Sequence, residues 1–199
     1  KRFVFASTGG VMYGEAKMIP TPETEPVNPM SPYAIAKRSI EYYLRYYSEV
    51  HHISTIALRF ANVFGPRQDP KGEAGVVAIF LSQLLTGKTP RIFGKGTQTR
   101  DYIYVTDAVD AVLEGIDSTV QGHYNIGAGI QISVNELYKK ISAISQITKT
   151  PRYVSPISGE QQTSALDAKK ARKQLGWKPN TSIDEGIALT YRWFADQNM

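Results

Sequence analysis

The chain has 199 residues, 42% of them hydrophobic and 21% charged, with a formal net charge of +5. That is enough for one sizeable core in an ordinary globular protein. Cysteine is absent, which excludes disulfides, thiolate catalysis and cysteine-based metal sites. No run approaches the length of a transmembrane helix. The apolar stretch after Lys1-Arg2 is too short for a secretory leader, so no membrane partner is expected and the cytoplasm is the expected compartment. The one dense basic cluster, Lys169-Lys170-Ala171-Arg172-Lys173, reads as a solvated helix face rather than a nucleic-acid surface. An anionic small ligand accounts for the positive balance equally well.

In chain order, the apolar run at 2–6 predicts a buried strand that ends in Ser7-Thr8-Gly9-Gly10. Residues 19–32 hold five prolines and no apolar period, which predicts a long ordered loop. Ser31-Pro32 supplies an N-cap and a proline at the first helical position, opening a helix to about residue 51. A second strand follows at 53–60, then a loop over 62–75. A helix spans 76–86, stopped by Gly87. A strand at 103–105, a helix at 107–116 and a strand at 123–126 come next. Ser133-Val134-Asn135-Glu136 and Ser182-Ile183-Asp184-Glu185 are capping boxes, each opening a helix. Strands alternating with helices predict an α/β fold with a parallel sheet. No G-x-G-x-x-G follows a first strand, so the chain reads as starting inside a doubly wound sheet.

Tyr33 and Lys37 form a Y-x-x-x-K on the first helix, one turn apart on one face. An ammonium beside a phenol favours the phenolate, which makes tyrosine usable as a base. The pattern alone is common. Ser7-Thr8 at one strand end and Arg59 through Arg67 after the next place hydroxyl, phenol, ammonium and amide along one sheet edge, where ligands of open α/β sheets bind. His51 and His52 sit at a helix end with no third ligand at metal spacing, so no metal is expected. Tyr42, Tyr43, Tyr46 and Tyr47 recur at helical spacing and read as core or helix–helix contact.

With Ser7 through Gly14, Ser31-Pro32-Tyr33 through Lys37, Arg59 through Pro66, Arg100 through Val105, and Tyr124-Asn125-Ile126-Gly127, the chain resembles the extended short-chain dehydrogenase/reductases, the NAD-dependent epimerase/dehydratase family. The resemblance implies a partial Rossmann-like sheet lacking its N-terminal strands over 1–70, and a smaller α/β substrate-binding part over 71–199. Segments around 101–126 are open to either part. It implies roughly a hundred preceding residues, NAD as cofactor, a UDP-sugar as substrate and a homodimer. The implied activity is inversion at C4 of a UDP-hexose through a 4-keto sugar. Another epimerase or a decarboxylase of the family, or a non-catalytic sugar-nucleotide-binding fragment, are the alternatives.

By resemblance Thr8, Tyr33 and Lys37 are catalytic. Ser7, Tyr33, Lys37 and Phe60 would meet the cofactor. Thr8, Asn62, Val76, Val77, Pro90, Ile92, Arg100 and Glu160 would meet the substrate, with Asn62 and Arg100 at its diphosphate. A guanidinium fork suits a diphosphate; the competing reading pairs Arg100 with neighbouring Asp101. The family's late substrate motif has Arg, a spacer, Gly and Asp, whereas this chain has Ile157-Ser158-Gly159-Glu160. A 4,6-dehydratase would want an Asp-Glu pair just after the catalytic Thr, where Gly9-Gly10 stands.

Overall fold

The computed structural model describes residues 1–71 and 75–197. Strand β1 (Arg2–Thr8) is followed by the proline-rich loop and helix α1 (Pro32–His51). The Ser31 hydroxyl accepts the Ala34 N–H at 3.2 Å, and His52 closes the helix in the left-handed region. Next come β2 (Ser54–Phe60), β3 (Asn62–Phe64) and α2 (Val76–Leu85). Three short strands follow, β4 (Arg91–Phe93), β5 (Thr99–Arg100) and β6 (Tyr102–Tyr104), then α3 (Val105–Asp117) and β7 (Gly122–Ile126). The chain continues through β8 (Ile132–Ser133), α4 (Val134–Ser145), β9 (Arg152–Val154), α5 (Lys169–Leu175) and α6 (Ile183–Gln197). Both expected capping serines work: Ser133 forms a full box with Glu136, and Ser182 accepts the Glu185 N–H at 3.2 Å. The loop expected at 62–75 carries the three residues of β3, which pair in parallel with β6; its residues 72–74 lie outside the described residues.

The main sheet has the order β1-β2-β7, all parallel. β2 is buried along nearly its whole length, because both faces are covered. Alternate residues explain how. Ser7 and Arg59 point to α1 and bond Glu41 on it, whereas Val4, Ile56 and Leu58 point to α3. Gly115 of α3 packs against the same three side chains. The outer border of β7 is occupied by side chains. Lys170 donates to the His123 carbonyl at 2.7 Å, and Glu23 accepts the Asn125 N–H at 2.8 Å.

Two apolar clusters result. One gathers Ile56, Leu58, Ile103, Ala111, Tyr124, Ile126, Leu166, Leu175 and Trp177 beneath the main sheet. The other joins α2, α4 and α6 over β3 and β6, through Phe80, Leu81, Leu137, Ile141, Ile187 and Phe194. The first takes in segments far along the chain, around 103–126 and 166–177.

Two expectations need correction. Lys170 in the basic cluster is half-buried, lying 4.3 Å over the Tyr124 ring, because α5 packs against β7 with Ala171 and Leu175 inward. Of the two roles expected for Tyr42, Tyr43, Tyr46 and Tyr47, the core one is excluded and the helix–helix one is untouched: all four are exposed, because α1 faces the sheet through Ala34 and Glu41. No helix of the described residues is long and apolar enough to cross a membrane.

His123 in β7 is kept neutral. Burial, with the nearby Arg59 and Lys170 charges, lowers its pKa to about 4 against the weaker pull of Glu41. The unfolded imidazole titrates near 6.5. The contribution is therefore intact above about pH 6.5 and is lost as pH falls toward 4, where the unfolded chain takes up a proton that the fold refuses. Urea unfolding at pH 7 and pH 5 should show a loss of about 1 kcal/mol from this residue, after discounting for its part exposure. The loss should be smaller in His123→Gln; an equal pH response in both proteins would remove His123 from the account.

Candidate active site

At the carboxyl ends of β1 and β2 lies a cavity of about 480 Å³. Ser7, Thr8, Tyr33, Lys37, Phe60, Asn62, Val76, Val77 and Arg100 all line it, from five separate stretches of chain. Parallel register explains the assembly. Thr8 stands opposite Phe60, and Asn62 opposite Tyr102, so each crossover returns to the same border. Among the described lining residues there are two cations, Lys37 and Arg100, and no carboxylate.

Tyr33 is 53% exposed, with its ring open to the cavity. Lys37 donates to the Ala6 carbonyl at 2.7 Å and lies 4.9 Å over the Phe5 ring and 5.7 Å from the Tyr33 ring centre. One ammonium proton thus fixes α1 to β1, and two remain for a ligand. Ser7 lines the cavity, but its hydroxyl donates to Glu41 at 2.7 Å; what it offers a cofactor is backbone. The Asn62 amide donates to the Asp101 carbonyl at 3.0 Å, leaving its oxygen for other partners.

Arg100 donates to the Thr99 carbonyl at 2.8 Å and pairs with Glu160 at 3.3 Å. The pairing with Asp101 does not occur. That carboxylate is buried and accepts the N–H groups of Ala128, Gly129 and Leu166 at 3.0–3.1 Å. Burial raises its pKa to about 6 against those hydrogen bonds. Glu160 therefore reaches the cavity only through Arg100. With Ile157, Ser158 and Gly159 it lines an adjoining hollow of about 220 Å³ that shares Val11, Arg100 and Gln161 with the main one. Pro90 and Ile92 are outside both. The Ile92 side chain is in the core, because β4 turns Arg91 and Phe93 outward instead. Among the described residues no group of His, Asp and Glu could hold a metal ion.

Sequence reasoning overlooked what holds the site. Arg59, 1% exposed, donates Nε and Nη2 to the two Glu41 oxygens at 2.9 and 2.6 Å. It also donates Nη1 to the Tyr13 hydroxyl at 2.8 Å, which in turn donates to Asn125 at 2.8 Å. Burial alone would raise the Glu41 carboxyl; the hydrogen bonds and charge of Arg59, with Ser7 and Arg38, hold it below the ordinary range. The signal was available. An arginine inside Ile56-Ala57-Leu58-Arg59-Phe60 needs a carboxylate, and Glu41 lies one turn beyond Lys37 on the same helix face.

The cavity thus brings together a hydroxyl at one strand end, a Tyr–Lys pair on the following helix and an arginine, all at the carboxyl border of a parallel sheet. The family model described as GDP-mannose 4,6 dehydratase matches residues 1–190, and the chain belongs to that family, within the extended short-chain dehydrogenase/reductases. It is 42% identical over 199 residues to a UDP-glucose 4-epimerase of Mycolicibacterium smegmatis, covering all of this chain and 64% of that protein. It also superposes on the UDP-glucose 4-epimerase of Thermotoga maritima solved with UDP-glucose, with a TM-score of 0.97 and 46% identity, over 99% of this chain and 64% of that one. The Thermus thermophilus UDP-glucose 4-epimerase, solved with NAD, gives 0.90 and 37%, over 98% and 64%. The chain thus spans about 64% of the length of these relatives.

The ion pair makes a direct prediction. Glu41→Gln leaves the Arg59 cation buried without its counter-charge and should cost about 3–5 kcal/mol in guanidinium unfolding. Replacing both Glu41 and Arg59 by Met should cost less than Glu41→Gln alone. Unchanged stability in Glu41→Gln would refute the pair as a structural anchor.

Proposed function

We propose that the protein interconverts UDP-glucose and UDP-galactose by NAD-dependent inversion at C4. One observation carries this reading: Thr8, Tyr33 and Lys37 share a cavity with Arg100 and Asn62, and the described lining has no carboxylate. The residues fit the nicotinamide end of the cofactor. Phe60 offers an apolar wall, and Lys37, anchored by one proton, keeps two donors for ribose hydroxyls. NAD, when bound, would supply the acceptor for hydride from C4 and its return.

The chain's own groups do the rest. Tyr33 is the general base that removes the proton from the 4-hydroxyl, with the Lys37 ammonium 5.7 Å from its ring centre. Thr8 hydrogen-bonds the C4 oxygen and keeps it aligned as the 4-keto sugar forms. Inversion requires the sugar to present its other face before the hydrogen returns, and Tyr33 then gives the proton back. Arg100 and Asn62 hold the diphosphate throughout, so the sugar turns while its nucleotide stays fixed. Val76 and Val77 cover it from α2.

Elimination across C5 and C6 is disfavoured. Neither Gly9 nor Gly10 supplies a carboxylate, and a Cβ at Gly9 would lie 2.3 Å from a Leu166 methyl and 3.0 Å from the Arg59 carbonyl oxygen, so the first position of an acid/base pair is crowded. The non-catalytic alternative draws on exposed Ile157, where the family motif has arginine. The reading carries with it the cytoplasm as compartment and a homodimer built on the exposed tyrosine face of α1.

Tyr33→Phe in the complete protein should lower turnover of UDP-glucose to UDP-galactose at least about a hundredfold while leaving UDP-glucose affinity nearly unchanged. Retention of more than half the activity would exclude Tyr33 as the base. Arg100→Ala should weaken UDP by about 1.5–3 kcal/mol in calorimetric titration, the range for hydrogen bonds to charged groups. Unaltered UDP affinity would take Arg100 out of the diphosphate site.

A further inference from the structure

Three polar atoms in the cavity have nothing to bond. Gln68 Oε1, Tyr102 Oη and Gln161 Oε1 are each buried without a hydrogen-bond partner among the described residues, and all three residues line the cavity. Only two other side-chain atoms among the described residues share that condition, Arg38 Nε and Gln83 Oε1, and neither residue lines it. A buried polar atom left unpaired costs stability, so such atoms are few in a native fold. Three in one cavity point to an occupant that pairs them.

The two amides are not free to turn. Gln68 Nε2 donates to the Val63 carbonyl at 3.2 Å, and Gln161 Nε2 donates to the Gly14 carbonyl. One N–H of each amide is thereby committed, which fixes its orientation and leaves its oxygen over. A Cβ at residue 75 would lie 2.7 Å from Gln68 Nε2, so the glycine makes room for that amide. An amide oxygen only accepts, so the occupant must bring O–H or N–H donors; a carboxylate placed there would be repelled. Burial raises the Tyr102 phenol far above its ordinary value, with Arg100 pulling the other way, so the hydroxyl stays neutral and able to donate.

Position adds to chemistry. Tyr102 lies two residues beyond Arg100, and Gln161 directly follows Glu160, the partner of Arg100. Two of the three unpaired atoms thus belong to residues flanking the guanidinium that would take the diphosphate, to which the sugar is directly attached, and the third, on Gln68, lines the same cavity. We propose that Gln68, Tyr102 and Gln161 form a sugar-reading wall that selects a neutral, hydroxyl-rich hexose through two fixed acceptors and one phenol. This rests on the sugar-nucleotide reading above.

The test is calorimetric titration of the complete protein with UDP-glucose, UDP-glucuronate, UDP and NAD, in wild type and in Gln68→Met, Gln161→Met and Tyr102→Phe. Each variant should bind UDP-glucose about five- to twentyfold more weakly, with UDP and NAD within about twofold of wild type. Wild type should bind UDP-glucuronate at least about tenfold more weakly than UDP-glucose. Tyr102→Phe guards against a folding defect. It removes only a hydroxyl that has no partner, so its Tm should equal or exceed that of wild type even as UDP-glucose affinity falls. Variants that bind UDP-glucose like wild type overturn the inference alone. So does a loss that falls on NAD, or equally on UDP and UDP-glucose. A wild-type protein that binds neither UDP nor UDP-glucose overturns the sugar-nucleotide reading as well.

Discussion

The buried pair between Glu41 and Arg59 is the constraint on which the rest of the molecule depends. A guanidinium in the middle of a covered parallel strand would be ruinous without a counter-charge. Here the carboxylate arrives from α1 and is shared with Ser7 of β1 and Arg38 of its own helix. Through Tyr13 and Asn125 the same guanidinium reaches β7. All three strands of the main sheet, the first helix and the loop after β1 are thereby tied to one charge pair. Tyr33 and Lys37 inherit their positions from it, because they lie on the helix that Glu41 docks.

The cavity shows why such rigidity suits a site built from distant segments. Thr8, Tyr33, Phe60, Asn62 and Arg100 come from different elements of the fold. The parallel register brings the strand ends together, and the Lys37 bond to the Ala6 carbonyl sets the helix over them. Arg100 is the exception. Its partner Glu160 comes from the long stretch after β9, and the two meet at a looser 3.3 Å. The firm part of the site is thus where protons would move, and the adaptable part is where a charged ligand would enter.

Much of this was legible in the sequence, for identifiable reasons. Helix starts are written locally, in Ser31-Pro32, Ser133 with Glu136, and Ser182 with Glu185, and all three open where expected. The strand end carrying Thr8 follows from an apolar run broken by polar residues. What escaped depends on pairing across space. β3 is too short for a periodic signal and exists because it falls into register with β6, the strand expected at 103–105. The Arg100 partner lies sixty positions away, so the competing pairing read from the sequence was with the neighbouring Asp101. Asp101 instead serves the backbone of two distant turns. The inward orientation of Ile92 and the exposure of the four α1 tyrosines likewise depend on which neighbours arrive from elsewhere.

The dressed border of β7 has a consequence for the solution behaviour of the sheet. A parallel strand at a sheet margin normally offers alternating donors and acceptors to any passing chain. Here a lysine ammonium sits on one acceptor and a glutamate on one donor, each held from an element packed alongside. A foreign strand attempting to zip onto that margin would have to evict both side chains and desolvate two opposite charges before gaining its first ladder bond. The margin's own side chains therefore occupy two of the ladder positions that an added strand would need.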